Sequence, residues 1–215
     1  IAPLINAVIR YGTQEEKLLI FTALSNYRST DQITTIHKGE DRVESLYVHA
    51  ARVAANIRGR QNREKEKAMQ ALQEKIETGG WQNHKLLIAI TSKDDEVPVP
   101  KEITGLVAME LLNHYGVPTL LLRPKKMDGV RHFAGSLRGK KNEGFPSLRQ
   151  FLIDSGMVTY AQGHDMAAGV AIPAENLQAL RDYADYKLAD VDFGTDTVEV
   201  DFLFDGAINK NMLYE

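Results

Sequence analysis

The chain has 215 residues, of which 43% are hydrophobic and 26% charged, and its formal net charge is −3. This size allows one substantial core or two small ones, and the composition is ordinary for a globular protein. The absence of Cys excludes disulfides, thiolate zinc sites and a Cys nucleophile, and suits a reducing cytoplasm, the expected location. No apolar run reaches the roughly 20 residues that span a bilayer, so a membrane protein is excluded.

The charges are distributed unevenly along the chain. Seven bases and one acid lie between Arg123 and Lys141, whereas eight acids and one base lie between Asp182 and Asp205. A basic surface beside an acidic one is compatible with a phosphate-rich partner despite the small net charge. The chain begins with Ile1 and an apolar stretch that no basic residue precedes, so we expect no signal peptide and a start inside a longer protein.

Helical patterns dominate the first 80 residues. Residues 14–27 carry acidic residues first and then apolar ones at helical spacing. Residues 30–41 are polar and predict a loop. From Val43 to about Glu77 apolar residues recur at helical spacing without Pro, which predicts a very long helix whose polar middle bridges separate bodies. Gly79 and Gly80 end this helix, and we predict a domain boundary near residue 80.

Strands and helices alternate after residue 80. The strand, helix and strand between Leu86 and Leu122 predict a right-handed parallel crossover unit. Further predicted elements are strands at Arg131–Leu137, Ala167–Ile172 and Thr197–Phe204, and helices after Pro146 and Pro173. The predicted fold is therefore α/β: a long helical connector followed by a mixed sheet with helices on both faces.

The segment QGHDMAAG, residues 162–169, is the first candidate for chemistry. Gly163 and Gly169 permit close backbone approach, so the segment can form a loop that aims N–H groups at a phosphate, with His164 as a further donor. The alternative is a tight turn into a small-residue strand with His164 in the core. Local composition alone favours this turn.

A second candidate is GSLRG, residues 135–139. In a strand, Ser136 and Arg138 project from the same face, and a hydroxyl beside a planar guanidinium suits a phosphate. A solvated strand end before Lys140 and Lys141 explains the same pattern equally well.

Other polar clusters have simpler explanations. Arg58, Arg60 and the later bases of the long helix alternate with Glu64 and Glu66, which favours a solvated helix face. Asp94, Asp95 and Glu96 in a loop are expected to face water. The histidines show no spacing typical of a metal site.

Several segments, in this order, resemble the C-terminal half of RecJ-type single-strand-specific exonucleases of the DHH phosphoesterase superfamily. They are Pro3–Thr13, the long connector, Glu102–Pro124, Gly135–Gly139 and Gly163–Leu180. The first is similar to the segment that closes the family's catalytic domain, and the last to the Gly-Gly-His loop of its DHH-associated domain.

This resemblance implies a two-lobed enzyme. A catalytic lobe with an Asp-His-His signature holds two divalent ions, manganese or magnesium, which activate a water. A second lobe grips the phosphates of the strand. Because this chain contains no Asp-His-His triplet, residues 1–80 are expected to be a catalytic-lobe remnant with the connector, and residues 81–215 the DHH-associated substrate-binding domain.

The residues that the resemblance assigns to substrate binding are Ser136, Arg138, Gly163, His164, Asn6 and Arg10. No catalytic residue and no metal ligand is expected in this chain. It departs from the family at Gln162, which occupies the first Gly position of the Gly-Gly-His loop, and in the segment KEITG, which keeps only Gly105.

The expected function is the phosphate-gripping part of a metal-dependent 5′-to-3′ exonuclease for single-stranded DNA, with its catalytic lobe in cis. Two alternatives remain open. One is a DHH phosphodiesterase for short oligonucleotides or cyclic dinucleotides, and the other is a stand-alone nucleic-acid-binding module.

Overall fold

The computed structural model describes residues 1–26, 28–37, 39–141 and 144–194. The predicted strand Thr197–Phe204 lies outside these residues. None of the helices in the described part is both long and apolar enough to cross a bilayer.

The described residues form two sheets and six α-helices. The helices are α1 (Ala2–Tyr11), α2 (Gln14–Ser25), α3 (Leu46–Thr78), α4 (Thr104–Tyr115), α5 (Leu148–Asp154) and α6 (Leu177–Lys187). The strands are β1 (Gln32–His37), β2 (Glu40–Ser45), β3 (Leu87–Ile90), β4 (Thr119–Met127), β5 (Val130–Arg138), β6 (Tyr160–His164) and β7 (Ala167–Pro173).

The predicted loop at residues 30–41 is wrong, because β1 and β2 form an antiparallel hairpin there. The segment is polar, but its Ile and Thr side chains are β-branched and favour an extended backbone. Gly39 lies in the turn with φ of +87°, a conformation that suits Gly. Polarity thus indicated exposure, not the absence of a strand.

The long predicted helix is confirmed as α3, although it begins at Leu46 and not at Val43, which lies in β2. The Ser45 side chain accepts a hydrogen bond from the Val48 amide at 3.4 Å and caps its first turn. The helix ends at Thr78, immediately before Gly79 and Gly80 as predicted, and Gly80 has φ of +66°.

Helix α3 packs against two separate groups of apolar side chains. Its first half buries Ala50, Ala54 and Ile57 against α1 and α2. Its second half buries Leu72 and Ile76 against α4 and one face of the larger sheet. The polar segment between them therefore bridges two apolar clusters, and the domain boundary near residue 80 stays a prediction.

The larger sheet has the strand order β3-β4-β5-β7-β6. β3 and β4 are parallel and joined through α4, as predicted for the crossover unit, whereas the other pairs are antiparallel. Helices α5 and α6 cover one face, and α3 with α4 cover part of the other. The prediction of a mixed sheet with helices on both faces is confirmed.

A buried carboxylate attaches the β1–β2 hairpin to α3. Glu44 is only 6% exposed, and its oxygens accept bonds from Arg52 Nε at 3.0 Å and interact with Arg42 Nε at 3.2 Å. His49 Nδ1 lies 2.9 Å from the same carboxylate. The hydrogen bonds from Arg52 and His49 lower the pKa of Glu44 to about 2.

We expect this carboxylate to make stability depend on acid pH. Because folding lowers the pKa of Glu44, its contribution is complete above its ordinary pKa and disappears as the pH falls through about 2. The free energy of unfolding, measured in urea between pH 5 and pH 2, should fall more steeply in the wild type than in Glu44→Gln. Equal slopes for both proteins would contradict this role.

Candidate anion-binding site

The segment predicted as a phosphate-contacting loop is a β-hairpin. Gln162, Gly163 and His164 end β6, and Asp165 and Met166 form the turn into β7. Asp165 Oδ1 accepts a hydrogen bond from the Ser147 hydroxyl at 2.8 Å. The loop prediction is therefore wrong, because small residues at the sheet edge pair with the next strand and satisfy their backbone groups there.

Cross-strand pairing places the candidate residues in two rows. Arg138 on β5 pairs with Ala167 on β7, which pairs with His164 on β6. Ser136, Gly169 and Gln162 form the neighbouring row in the same way. Neighbouring strands are about 4.8 Å apart, so each row is about 10 Å long, and the rows are about 7 Å apart. Residues from two distant segments of the sequence thus flank one small surface.

All these side chains project from one face of the sheet. Leu137, Ala161 and Ala168 are buried in the core on the opposite face, so their sequence neighbours face the other way. The side chains of Gln162 and His164 are exposed and make no hydrogen bond among the described residues. The alternative that places His164 in the core is therefore wrong.

The Ser136 hydroxyl is held by the first turn of α4. Its Oγ lies 3.0 Å from Thr104 Oγ1, and Thr104 donates its own hydrogen to the Lys101 carbonyl at 3.1 Å. Since a Thr hydroxyl has one hydrogen, Ser136 is the donor in the bond to Thr104. Ser136 must give up this bond before it donates to a ligand.

Arg138 lies against the backbone of α4 with no carboxylate partner among the described residues. A Cβ on Gly105 would overlap Arg138 Nη2, so the glycine leaves the space that the guanidinium fills. Nη1 donates to the Leu137 carbonyl at 2.6 Å. Burial, followed by the positive charge of Arg10, lowers the pKa of Arg138. An unpaired, partly desolvated cation beside a second cation favours an anion between them.

The space that Arg138 occupies explains why residue 105 is Gly in this chain. It is the one residue of the KEITG segment that the resemblance retains, and it is the residue that accommodates Arg138. The nearby N-terminal end of α4 adds further positive potential.

Arg10 and Asn6 lie beside this surface, on α1. Both line a cleft of about 390 Å³ between α1, α3 and α4. Arg58, expected to belong to a solvated face, lines the same cleft. Gln61 is 6% exposed, and its Nε2 has no hydrogen-bond partner. A buried amide without a partner is costly, so Gln61 Nε2 is a donor that a polar group in the cleft would satisfy.

Two other bases of α3 are paired with carboxylates. Arg60 forms an ion pair with Glu16 at 2.7 Å, and Lys65 with Glu110 at 2.6 Å. Charge alternation along the sequence therefore did not identify their partners, which come from α2 and α4. Arg58 is exposed, as expected for a solvated face, and it borders the cleft because α1 packs against α3.

A larger open cleft of about 530 Å³ lies at the C-terminal end of α3. It is lined by Lys75, which forms an ion pair with Asp95 at 3.1 Å, and by Glu74 and Glu96. The acidic triplet therefore does more than face water, because Asp95 fixes its loop to α3. This cleft lacks unpaired cations among the described residues, and the Arg138 surface fits an anion better.

The surface combines positive charge with hydrogen-bond donors. Arg138, Arg10 and His164 supply donors to an anion. No group of three or more His, Asp or Glu residues that fits a metal ion occurs in the part of the chain that the structure describes. Gly163 has φ of +138°, and β7 approaches it so closely that no Cβ would fit there.

No protein-family model matches the chain. Two curated proteins are each 31% identical to it over 204 residues, which is 94% of this chain and 34% of the relative. They are the "Putative SPbeta prophage-derived single-strand DNA-specific exonuclease YorK" of Bacillus subtilis strain 168 and the "Putative single-strand DNA-specific exonuclease yorK" of Bacillus phage SPbeta. The chain thus spans about a third of the length of these relatives.

Solved structures share the fold. The crystal structure of exonuclease RecJ bound to manganese matches 87% of this chain and 39% of its own, with a TM-score of 0.53 and 18% identity. RecJ from Thermus thermophilus in complex with Mn²⁺ matches 89% of this chain and 24% of its own, with a TM-score of 0.54 and 19% identity. These structures match the mixed α/β architecture described above.

Proposed function

Since this chain is related to the RecJ-type single-strand-specific exonucleases, we propose that it is the part of such an enzyme that grips the phosphates of single-stranded DNA. The observation that carries the proposal is the alignment of Arg138, Ala167 and His164 in one row, with Ser136 beside it. Two side chains that donate hydrogen bonds flank a small residue, which leaves room for a phosphate.

The cleft between α1 and α3 offers a path for the DNA strand beyond Arg138. Arg10 lies close enough to Arg138 for its charge to lower the pKa of that guanidinium, and Arg10 also lines the cleft with Asn6 and Arg58. Successive phosphates would contact Arg138 and then Arg10. Such contacts position a strand without reading its sequence.

We assign no hydrolytic step to the described residues. In this proposal the divalent ions, manganese or magnesium, and the activated water belong to a catalytic lobe in cis, outside this chain. The proposed reaction of the whole enzyme is digestion of single-stranded DNA in the 5′-to-3′ direction.

The direct test measures binding and cleavage by the purified 215-residue chain. We expect it to bind a single-stranded oligonucleotide more tightly than a duplex, with affinity that falls as salt increases, because counterions are released from the phosphates. We expect no cleavage with Mn²⁺. His164→Ala should weaken binding roughly 2- to 10-fold, the effect of one hydrogen bond.

The outcomes separate the proposal from its rivals. Cleavage by the chain with Mn²⁺, abolished by His164→Ala, would overturn the division of labour between lobes. Affinity that does not increase between a dinucleotide and a longer strand would favour the short-oligonucleotide phosphodiesterase. Absence of any binding to single strands would remove the proposed function.

A further inference from the structure

The sheet face around Gln162 is open. Helix α4 packs on β4 and β5, where it holds Ser136 and Arg138. A Cβ built on Gly169 of β7 would find only backbone oxygens of the sheet within 4 Å, at 3.8 and 3.9 Å. No described side chain therefore lies within 4 Å of the position that a Cβ of Gly169 would occupy, between Ser136 and Gln162.

A third row lies next to this open face, on the side away from Arg138, and its middle residue, Ala171, is fully buried. Tyr160 on β6 pairs with Ala171 on β7, which pairs with Ala134 on β5. Tyr160 and Gln162 are two residues apart on the same strand, so their side chains share a face at about 7 Å separation. Both side chains lack a hydrogen-bond partner among the described residues, and Tyr160 is half-buried.

The chemistry of these two side chains differs from that of a phosphate grip. A phosphodiester only accepts hydrogen bonds, which suits Arg138 and His164. The side-chain amide of Gln162 both donates and accepts hydrogen bonds. Only a ligand that offers an N–H group as well as an acceptor can pair with both of its groups. Nucleobase edges offer both, and an aromatic ring such as that of Tyr160 provides a surface on which a base stacks.

Resting on the proposed function, we propose that Gln162 and Tyr160 bind the nucleobase of the nucleotide whose phosphate is held by Arg138 and His164. The phosphate occupies the row of Arg138, the sugar lies over Gly169, and the base lies against Tyr160 with its edge at Gln162. Gln162, where the family has Gly, is thus a specificity-determining residue of this chain.

The test compares two single strands of equal length and charge, one with bases and one with abasic sites throughout. The wild-type chain should prefer the base-containing strand roughly 5- to 100-fold, as expected for stacking on one aromatic side chain. Tyr160→Leu should lose most of this preference, and Tyr160→Phe should retain it. Affinity for the abasic strand should stay within about twofold in both variants, since the phosphate contacts remain.

Gln162→Gly, which restores the family residue, tests the edge contact. We expect the four homopolymers dA, dC, dG and dT to differ in affinity for the wild type and to differ roughly 3- to 10-fold less for the variant, the effect of one or two hydrogen bonds. Gln32→Gly is the matched control, because Gln32 is an exposed glutamine on strand β1 of the other sheet.

Each outcome has one meaning. Equal binding of both strands by the wild type would overturn the base contact and leave the phosphate grip intact. Binding of neither strand would overturn the proposed function itself. A homopolymer preference that survives Gln162→Gly would remove Gln162 from the site. Tyr160→Phe keeps the aromatic ring, so loss of the preference in this variant as well would overturn stacking on the ring.

Discussion

Arg138→Ala is expected to weaken binding of single-stranded DNA roughly 10- to 100-fold. A hydrogen bond to a charged group contributes about 1.5–3 kcal/mol, and Arg138 supplies guanidinium donors that have no carboxylate partner among the described residues. The loss should be similar for different base sequences, and the salt dependence should decrease by about one released counterion.

Arg131→Ala is the matched control for this change. Arg131 lies on the same strand, β5, and its replacement alters the net charge equally, but its side chain projects from the opposite face. Fluorescence anisotropy at several salt concentrations measures both variants. If Arg131→Ala weakened binding as much as Arg138→Ala, general attraction and not a defined contact would explain the effect.

Gly163→Ala is expected to destabilise the protein by about 2–4 kcal/mol, through strain and overpacking at one position. Gly163 has φ of +138°, and a Cβ would lie 2.8 Å from the Ala168 Cα and 2.9 Å from the Ala167 carbonyl oxygen. Because both atoms belong to β7, relief requires separation of the two strands. His164 and Gln162 would move with β6, so binding should weaken as well.

Gly59→Ala, the same substitution at another position, is expected to stabilise the protein. Gly59 lies inside α3, and a Cβ there would meet only Arg63 Nη1, at 3.5 Å. Alanine in a helix interior should stabilise the protein by about 0.5–1 kcal/mol. Urea denaturation measures both variants. A Gly163→Ala protein as stable as the wild type would show that the hairpin tolerates a side chain there.

The spacing of apolar residues along the sequence predicted the elements that have one regular apolar pattern. The helical spacing of Ala50, Ala54 and Ile57 is visible in the sequence, and so is the buried strand that begins at Leu87. The hairpin formed by β1 and β2 was missed, because its polar composition outweighed the β-branched residues within it. Strand β6 was missed because Gly163 interrupts its pattern, and only its partner β7 makes the extended backbone favourable.

The candidate site was also predicted only in part. Resemblance to RecJ-type exonucleases selected Ser136, Arg138 and His164, and alternation along β5 placed the first two on one face. Gln162 was noted only as a departure from the family. Its place beside Gly169 depends on the register of β6 against β7, which no local pattern determines.

The amino-acid sequence by itself determined helices α2 to α6, most strands of the larger sheet and the residue types that suit a phosphate, because these depend on local spacing and side-chain chemistry. Only the tertiary structure decided which of these residues meet. It placed Arg10 of α1 beside Arg138 of β5, and among the described residues it left Arg138 without a carboxylate while giving Arg60 one. Such pairings depend on how distant segments pack, and neighbouring residues along the chain do not encode them.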